Sequence, residues 1–177
     1  LSLAGRIGTW YRELFSTYAA PSFDFLRDRF KAQVAEHFDG RLGVSARGLM
    51  FGADNADAMH WFAAAEAARL LGVASDILAN HVITQQIDGR VHQEGKSRFV
   101  AVHRSTLDQI AADRASYLSA TEARQRLNVS KNFFDRFIQA GGLRRYKRNE
   151  RPVLVAGEFR VADVDQVIQQ LVGSIRK

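Results

Sequence analysis

The chain contains the stretch Phe62-Ala-Ala-Ala-Glu-Ala-Ala-Arg-Leu-Leu-Gly-Val73 and, 56 residues later, the related stretch Leu118-Ser-Ala-Thr-Glu-Ala-Arg-Gln-Arg-Leu-Asn-Val129. A second pair follows: Val102-His-Arg-Ser-Thr-Leu-Asp-Gln-Ile110 is similar to Phe159-Arg-Val-Ala-Asp-Val-Asp-Gln-Val167, 57 residues later. Two such pairs with nearly equal offsets indicate a duplicated module. The fold is therefore expected to contain the same small unit twice.

The 177 residues divide into three expected parts. They are a helical N-terminal region over residues 1–57, a first module over 58–113 and a second module over 114–177. A unit of roughly 50 residues is near the lower limit for burying its own core, so we expect neighbouring modules to pack together. Hydrophobic residues make up 46% of the chain, which favours a compact, folded protein.

The N-terminal region has the spacing of two amphipathic helices. Apolar residues recur every third or fourth position from Ile7 to Tyr18 and again from Phe23 to His37. Asp39-Gly40 is typical of a helix end. Arg41 to Asp57 has the Gly-rich composition of a loop or linker. The aromatic side chains of this region predict a helical core, with a docking surface as the alternative.

The second module begins with the signals of two short helices. Ser119 and Glu122 have the spacing of a capping box for a helix from Ala120 to Leu127. Asn128-Val129-Ser130 follows as a turn, because Asn tolerates a left-handed conformation and Ser caps the next helix. That helix is expected from Lys131 to Ala140, where Gly141-Gly142 ends it. Its buried residues are expected to be Phe133 or Phe134, Phe137 and Ile138.

After these helices the second module predicts a β-hairpin and a closing helix. The basic stretch Leu143–Arg151 is followed by two short apolar runs, Pro152–Val155 and Glu158–Val161, which predict the strands of the hairpin. Asp163 is expected to cap a final helix through Leu171. The first module matches element for element, with helices from Ala63 to Leu71 and from Ser75 or Asp76 to about Gln85. A hairpin around Gly95 and a helix capped by Ser105 complete it.

Positive charge is concentrated in the second module. Residues 114–160 carry eleven Lys or Arg and four Asp or Glu, a net charge of +7, whereas residues 61–113 have a net charge of −1. The whole chain has +6. A basic patch confined to one small module is typical of a protein that binds a phosphate backbone.

The pattern Glu-Ala-Ala-x-x-Leu-Gly-Val, a polar residue and then a short helix resembles excisionase and MerR-type winged helix-turn-helix domains. Two copies after an aromatic helical segment are similar to the C-terminal region of the TniQ family of transposon target-selection proteins, and the likeness covers residues 1–171. The N-terminal part of that family uses Cys-rich zinc modules, for which this chain has no Cys. The resemblance implies a mainly α fold with small β-hairpin wings, in two tandem winged helix-turn-helix modules.

In such a fold the second helix enters the major groove and the wing lies along phosphates. Small Ala67 and Ala123 permit close approach of the two helices, and Gly72 and Asn128 permit the sharp turn. The expected contacts of the second module are Ser130, Lys131, Asn132, Asp135, Arg136, Arg144, Arg145, Lys147, Arg148 and Arg151. The corresponding residues of the first module are Ser75, Asp76, Asn80, Gln85, Arg90, Lys96 and Arg98, which either read DNA or belong to a spacer that docks protein.

Residue patterns of catalysis are missing. The chain has no Cys, which excludes thiol catalysis and Cys-ligated zinc, and its five His lie on separate elements without metal-site spacing. We therefore expect a binding protein rather than an enzyme, with neither cofactor nor metal.

No apolar run is long enough to span a bilayer and no secretory segment is recognised, so we expect a cytoplasmic protein without membrane contact. The missing initiator Met indicates a fragment of a longer protein.

These expectations combine into one function and one alternative. The first is a sequence-specific double-stranded DNA-binding protein that selects a target site for transposition or a related DNA recombination process. The resemblance implies an AAA+ ATPase and a transposase as its partners. The alternative is a protein–protein interaction adaptor or transcriptional regulator whose helix-turn-helix modules dock other proteins. The sequence carries no sign of the oligomeric state.

Overall fold

A computed structural model describes residues 9–37, 60–94 and 97–175 of the chain. The described residues are mainly helical, with one three-stranded and one two-stranded antiparallel sheet. The chain separates into two compact units, Leu1–Leu107 and Asp108–Lys177. The expected limit between the N-terminal region and the first module, and the predictions for residues 39–57, lie outside the described ranges.

The two N-terminal helices are joined by a turn that Arg27 holds through hydrogen bonds. Helical residues 9–12 continue into a π-helical turn, Glu13–Thr17, followed by a 3₁₀ turn, Pro21–Phe23, and helix α1, Asp24–His37. The buried Arg27 guanidinium donates to the backbone carbonyls before α1 and to the carboxylate of Asp24. The two predicted helices are thus present.

The aromatic stripe of this region is only partly a core. Val34 is buried at 6% exposure, whereas Trp10 and Leu26, which the spacing places on the same stripes, are 59% and 39% exposed. The expected packing role therefore holds for Val34 and does not hold for Trp10 and Leu26.

The rest of the first unit contains a three-stranded sheet and three helices. Its elements are β1 (Trp61–Ala63), α2 (Ala64–Leu71), α3 (Ser75–Ile83), β2 (Arg90–Glu94), β3 (Ser97–His103) and the beginning of α4 (Arg104–Ala115). The strand order is β1-β3-β2. The predicted hairpin is confirmed, with Arg90 opposite Ala101 and His92 opposite Phe99. The expected cap at Ser105 is wrong, because α4 begins at Arg104 and Ser105 lies inside it.

The second unit begins within α4 and carries the same order of elements with one change. Its further elements are β4 (Tyr117–Leu118), α5 (Ala120–Leu127), α6 (Lys131–Gln139), a 3₁₀ turn (Arg148–Glu150), β5 (Phe159–Arg160) and α7 (Val161–Ile175). The capping box is confirmed: the Ser119 hydroxyl accepts from Glu122 N, and the Glu122 carboxylate accepts from Ser119 N. The backbone N–H of Ser119, followed by its side chain, lowers the pKa of the Glu122 carboxyl group.

The predicted hairpin of the second module is wrong. Strand β5 pairs with β4, where Phe159 lies opposite Leu118, and Pro152–Val155 forms no strand. Arginine side chains bind the carbonyls at the end of this segment, since Arg148 donates to Val155 O and Arg151 to the two carbonyls that follow. A Cβ on Gly157 would lie 2.8 Å from Leu118 N, so glycine lets this segment lie against β4.

The expected cap at Asp163 is also wrong. Helix α7 begins at Val161, which places Asp163 inside its first turn. A carboxylate there still complements the partial positive charge of a helix N-terminus. Its main partner is the hydroxyl of Tyr146, which donates to Asp163 Oδ2 at 2.9 Å.

The two repeats have the same internal geometry wherever their sequences align. Phe62 pairs with Val102 in the first, as Leu118 pairs with Phe159 in the second. The hydrogen bond from Arg104 N to His60 O recurs as the bond from Val161 N to Ser116 O. Buried positions also correspond: Ala67 with Ala123, Leu78 with Phe134, Ile87 with Leu143, and Leu107 with Val164. These pairings and buried positions agree with the duplication that the sequence predicts.

The helix ends of the repeats are closed by the same motif. After α2, Val73 N donates to Ala68 O and Gly72 N to Arg69 O, the two bonds of a Schellman motif. The same pair of bonds follows α3, α5 and α6. Each motif has a left-handed residue, which is Gly72, Gln85, Asn128 or Gly141. Glycine and asparagine suit three of these positions, as the sequence predicts for the turns at Gly72 and Asn128.

Candidate nucleic-acid interface

Helix α6 has one buried face and one polar face. Phe134 is 2% exposed and belongs to a core cluster with Ala123, Leu143, Phe159 and Val164, against which Phe137 and Ile138 pack. An α-helix turns 100° per residue, so the polar face lies opposite these three. Besides Gln139, the exposed polar side chains are Lys131, Asn132, Asp135 and Arg136.

These four residues are among the predicted contact residues, and the helix brings them together. Lys131 and Asp135 lie one turn apart, as do Asn132 and Arg136. Neither Lys131 nor Arg136 forms an ion pair within the described ranges. This surface, defined by Lys131, Asn132, Asp135 and Arg136, is called the α6 polar face below.

The start of α6 is held by Ser130. Its hydroxyl oxygen accepts from Phe133 N at 3.3 Å, as the sequence predicts for an N-cap. That bond uses one of the free N–H groups at the helix start, which were expected to bind phosphate together with Ser130. The confirmed role of Ser130 is thus to fix the start of the helix.

Two of the predicted wing arginines are paired with carboxylates. Arg145 donates through Nε and Nη2 to both oxygens of Glu158, at 2.8 and 3.0 Å. This bidentate bond raises the pKa of Arg145. Arg144 donates to Glu150 at 2.8 Å. The pKa of Glu150 is lowered, first by the backbone N–H of Lys147 and then by Arg144.

Two further arginines build the loop that replaces the wing. Arg148 Nη1 donates to Val155 O at 2.8 Å, and Arg151 Nη1 donates to Ala156 O and Gly157 O at 2.6 and 2.7 Å. We call residues 144–158 the basic loop. Lys147 is exposed and, among the described residues, its ammonium has no ion-pair partner. The basic loop thus offers Lys147 as its unpaired cation.

The sequence reasoning missed a tyrosine–arginine cluster under the basic loop. Tyr146, Tyr117 and Val155 form a small core in which the two rings meet edge to face at 5.8 Å. The Arg160 guanidinium lies 4.6 Å from the Tyr146 ring centroid, and its Nε donates to Tyr117 Oη at 3.0 Å. Burial, together with the bond to Asp163, raises the pKa of Tyr146. Tyr146 is a core residue inside the predicted wing, and its position between basic residues concealed this.

The first unit offers fewer cations at the corresponding positions. Ser75, Asp76 and Asn80 are exposed on α3, at or near the positions that align with the α6 polar face. Arg90 stacks on Trp61, with its guanidinium carbon 3.8 Å from the ring centroid. Arg98 is exposed on β3, Gln85 forms a helix end, and Lys96 lies outside the described residues.

The same helix of the first unit also exposes apolar side chains. Ile77 is 49% exposed, Leu70 on α2 is 57% exposed and Val91 on β2 is 45% exposed. The α3 surface is therefore less cationic than the α6 polar face.

The described ranges contain no cluster of three or more His, Cys, Asp or Glu that could hold a metal ion. Helices long and apolar enough to cross a membrane are also missing from them. Comparisons with protein family models, curated proteins and solved structures found no match to this chain.

Proposed function

We propose that this chain is a sequence-specific double-stranded DNA-binding protein that contacts DNA through the α6 polar face. The observation that carries the proposal is the exposure of Lys131, Asn132 and Arg136 on one side of a helix whose other side is fixed in a core. Asn and Arg are the side chains that pair bidentately with adenine and guanine in the major groove. The proposal includes a winged helix-turn-helix identity for the first repeat and a helix-turn-helix identity for the second, in which the basic loop takes the place of the wing.

The electrostatics of the second repeat support the same partner. Residues 114–160 have a net charge of +7, and the capped start of α6 adds the partial positive charge of a helix N-terminus. In this proposal Lys147 contacts the phosphate backbone beside the groove. Arg148 and Arg151 shape the basic loop, and Arg144 and Arg145 reach phosphate by leaving their carboxylate partners.

Selection of bound duplexes from a random pool tests the proposal. The full chain is expected to enrich a defined sequence and to retard it at nanomolar concentrations. The variant Lys131→Ala/Arg136→Ala is expected to bind that duplex at least about tenfold more weakly. The control Arg12→Ala/Arg69→Ala removes the same charge from the first unit. Equal losses in both variants, or no retardation of any duplex at low salt, would contradict the proposal.

A role in choosing the target site of a transposition or related recombination event is the second step of the proposal. It rests on the two Glu-Ala-type repeats and the helical segment before them, and it includes an AAA+ ATPase and a transposase as partners. Insertion of a reporter transposon next to the selected duplex sequence, in cells that supply both proteins, is the expected result. Insertion that ignores that sequence would remove this step and leave DNA binding intact.

A second candidate function is docking of another protein by the first unit. The exposed Ile77, Leu70 and Val91, with Trp10 and Phe25 of the N-terminal helices, favour it. Capture of a partner by the wild type and loss of that partner in Ile77→Asp would support it. If protein docking is the function, the full chain is expected to retard no DNA duplex.

A further inference from the structure

One side chain on the exposed side of α6 is apolar. Phe133 is 54% exposed although it is a large aromatic residue, and it follows Asn132 directly. Its neighbour Phe134 fills the core position for which the sequence allows either of the two. A single exposed apolar residue is common on protein surfaces, so exposure alone does not indicate that Phe133 binds a ligand.

The ring of Phe133 is held in place by a second ring. It stacks on Phe137, with centroids 5.9 Å apart and planes inclined by 13°. Phe137 in turn lies against Gly142, where a Cβ would come within 2.2 to 2.5 Å of the Phe137 ring atoms. The glycine therefore makes room for Phe137, and Phe137 supports Phe133. An exposed side chain fixed in this way loses little conformational entropy on binding.

The neighbours of Phe133 indicate what it would touch. It lies at the edge of the α6 polar face, directly after Asn132 in sequence and one helical turn from the cationic Arg136, in a segment of high positive charge. These neighbours suit a polyanion with hydrogen-bonding groups better than they suit an apolar protein surface. Within the major groove, the apolar group that a base pair can offer is the C5-methyl of thymine, and aromatic side chains contact it.

We propose that Phe133 is a specificity-determining residue that recognises a thymine methyl group in the bound duplex. The inference rests on the proposed DNA-binding function and names one chemical feature of its ligand. Phe133 makes an apolar contact to the methyl while Asn132 and Arg136 bond to neighbouring base edges. A selected sequence is therefore expected to contain a thymine at a fixed position.

Replacing thymine by deoxyuridine tests the inference, because this change removes the methyl and keeps every hydrogen-bonding group. The probe is a duplex of the selected sequence, with each thymine replaced in turn. One replacement is expected to weaken binding by the wild type about fourfold, the worth of one buried methyl-sized group. In Phe133→Ala the same replacement is expected to have no effect, which is the coupling that a double-mutant cycle detects.

Two further variants control for structure. Phe133→Leu retains an apolar side chain and is expected to recover part of the sensitivity to deoxyuridine. Leu171→Ala removes a 49% exposed apolar residue from α7 of the same unit and is expected to bind both probes like the wild type. Binding of the selected duplex with no sensitive thymine, or equal sensitivity in Phe133→Ala, would overturn the inference. Failure of the wild type to bind any duplex would instead overturn the proposed function.

Discussion

At the scale of single residues, the repeat supplies its own comparison. Gly72 and Asn128 occupy the same left-handed position at the ends of α2 and α5, with φ angles of 62° and 54°. Both are predictable from the sequence, because glycine and asparagine adopt this conformation more readily than other residues. Leu154, with φ of 64°, is not predictable. Its conformation depends on the path of the basic loop rather than on its own chemistry.

We predict that Asn128→Ala lowers the free energy of unfolding by about 1 kcal/mol, because alanine lacks the local side-chain bonding that makes the left-handed conformation acceptable. Gly72→Ala is expected to cost a similar amount, about 1 kcal/mol. No atom within the described part of the chain lies within 4 Å of a Cβ at Gly72, so the cost arises from the backbone alone.

Denaturant unfolding measures both changes, provided that the dependence of the unfolding free energy on denaturant concentration stays the same in each variant. Asn128→Gly serves as the control and is expected to change the stability by only a few tenths of a kcal/mol, as glycine adopts this conformation freely. Asn128→Gly as destabilising as Asn128→Ala would show that the side chain of Asn128 matters for another reason.

At the scale of elements, local signals are predictive and long-range ones are not. The bounds of α5 follow from the capping box and from Asn128, all within ten residues of one another. The partner of β5 is β4, some forty residues upstream, and no local pattern marks that pairing. The run Pro152–Val155 resembles a strand because its residues are apolar. In the structure Val155 is buried in the tyrosine–arginine cluster and not in a sheet. The sequence therefore predicts a hairpin where a loop braced by arginines lies.

The pairing of Arg145 with Glu158 leads to a second prediction. The carboxylate of Glu158 competes with phosphate for the guanidinium, so Glu158→Gln is expected to strengthen binding to any duplex. An exposed ion pair of this kind limits the gain to about fivefold. Binding is measured by fluorescence anisotropy at low salt, with selected and unrelated duplexes. A gain on the unrelated duplex would identify Glu158 as a residue that restrains non-specific binding.

Asp165→Asn is the matched control for this prediction. Asp165 also accepts a bidentate bond, from Arg126 at 2.7 and 2.9 Å, and it lies on α7 of the same unit. Its substitution changes the net charge equally but frees a cation outside the basic loop. If both variants gain the same affinity, net charge and not the pairing of Arg145 is responsible.

At the scale of the whole molecule, the sequence predicts where the charges lie along the chain but not which contacts the charged side chains make. Counting charges predicts where the cations lie along the chain. The contacts made by Arg144, Arg145, Arg148 and Arg151 depend on the folded path of the basic loop. The α6 polar face is predictable because helical periodicity alone places its members together. The tyrosine–arginine cluster is not, since it joins residues from three separate segments.

The difference between cations used within the basic loop and cations left exposed predicts the salt dependence of DNA binding. The triple variant Lys131→Ala/Arg136→Ala/Lys147→Ala removes those exposed cations assigned to DNA that form no salt bridge among the described residues. It is expected to reduce the slope of log K against log salt by up to about 0.9 for each phosphate that is no longer neutralised. Titrations between low and physiological salt measure the slope. An unchanged slope in the triple variant would exclude these cations as the groups that bind phosphate.

Arg151→Ala is the comparison for the triple variant. It is expected to act mainly through stability, because the Arg151 guanidinium holds two loop carbonyls. Denaturant unfolding, measured in parallel with the salt titrations, separates a loss of stability from a loss of phosphate binding. A change of slope in Arg151→Ala at unchanged stability would show that Arg151 binds phosphate itself.

The strand that closes each repeat has a consequence for how such a chain can diversify. Its register against the opening strand is the same in both copies, although strand β2 precedes it in one and the basic loop in the other. The pairing of the two strands therefore does not depend on the stretch that joins them. That stretch can carry different binding residues in the two copies, as long as the buried side chains that it supplies, such as Tyr146 and Val155, are matched by others.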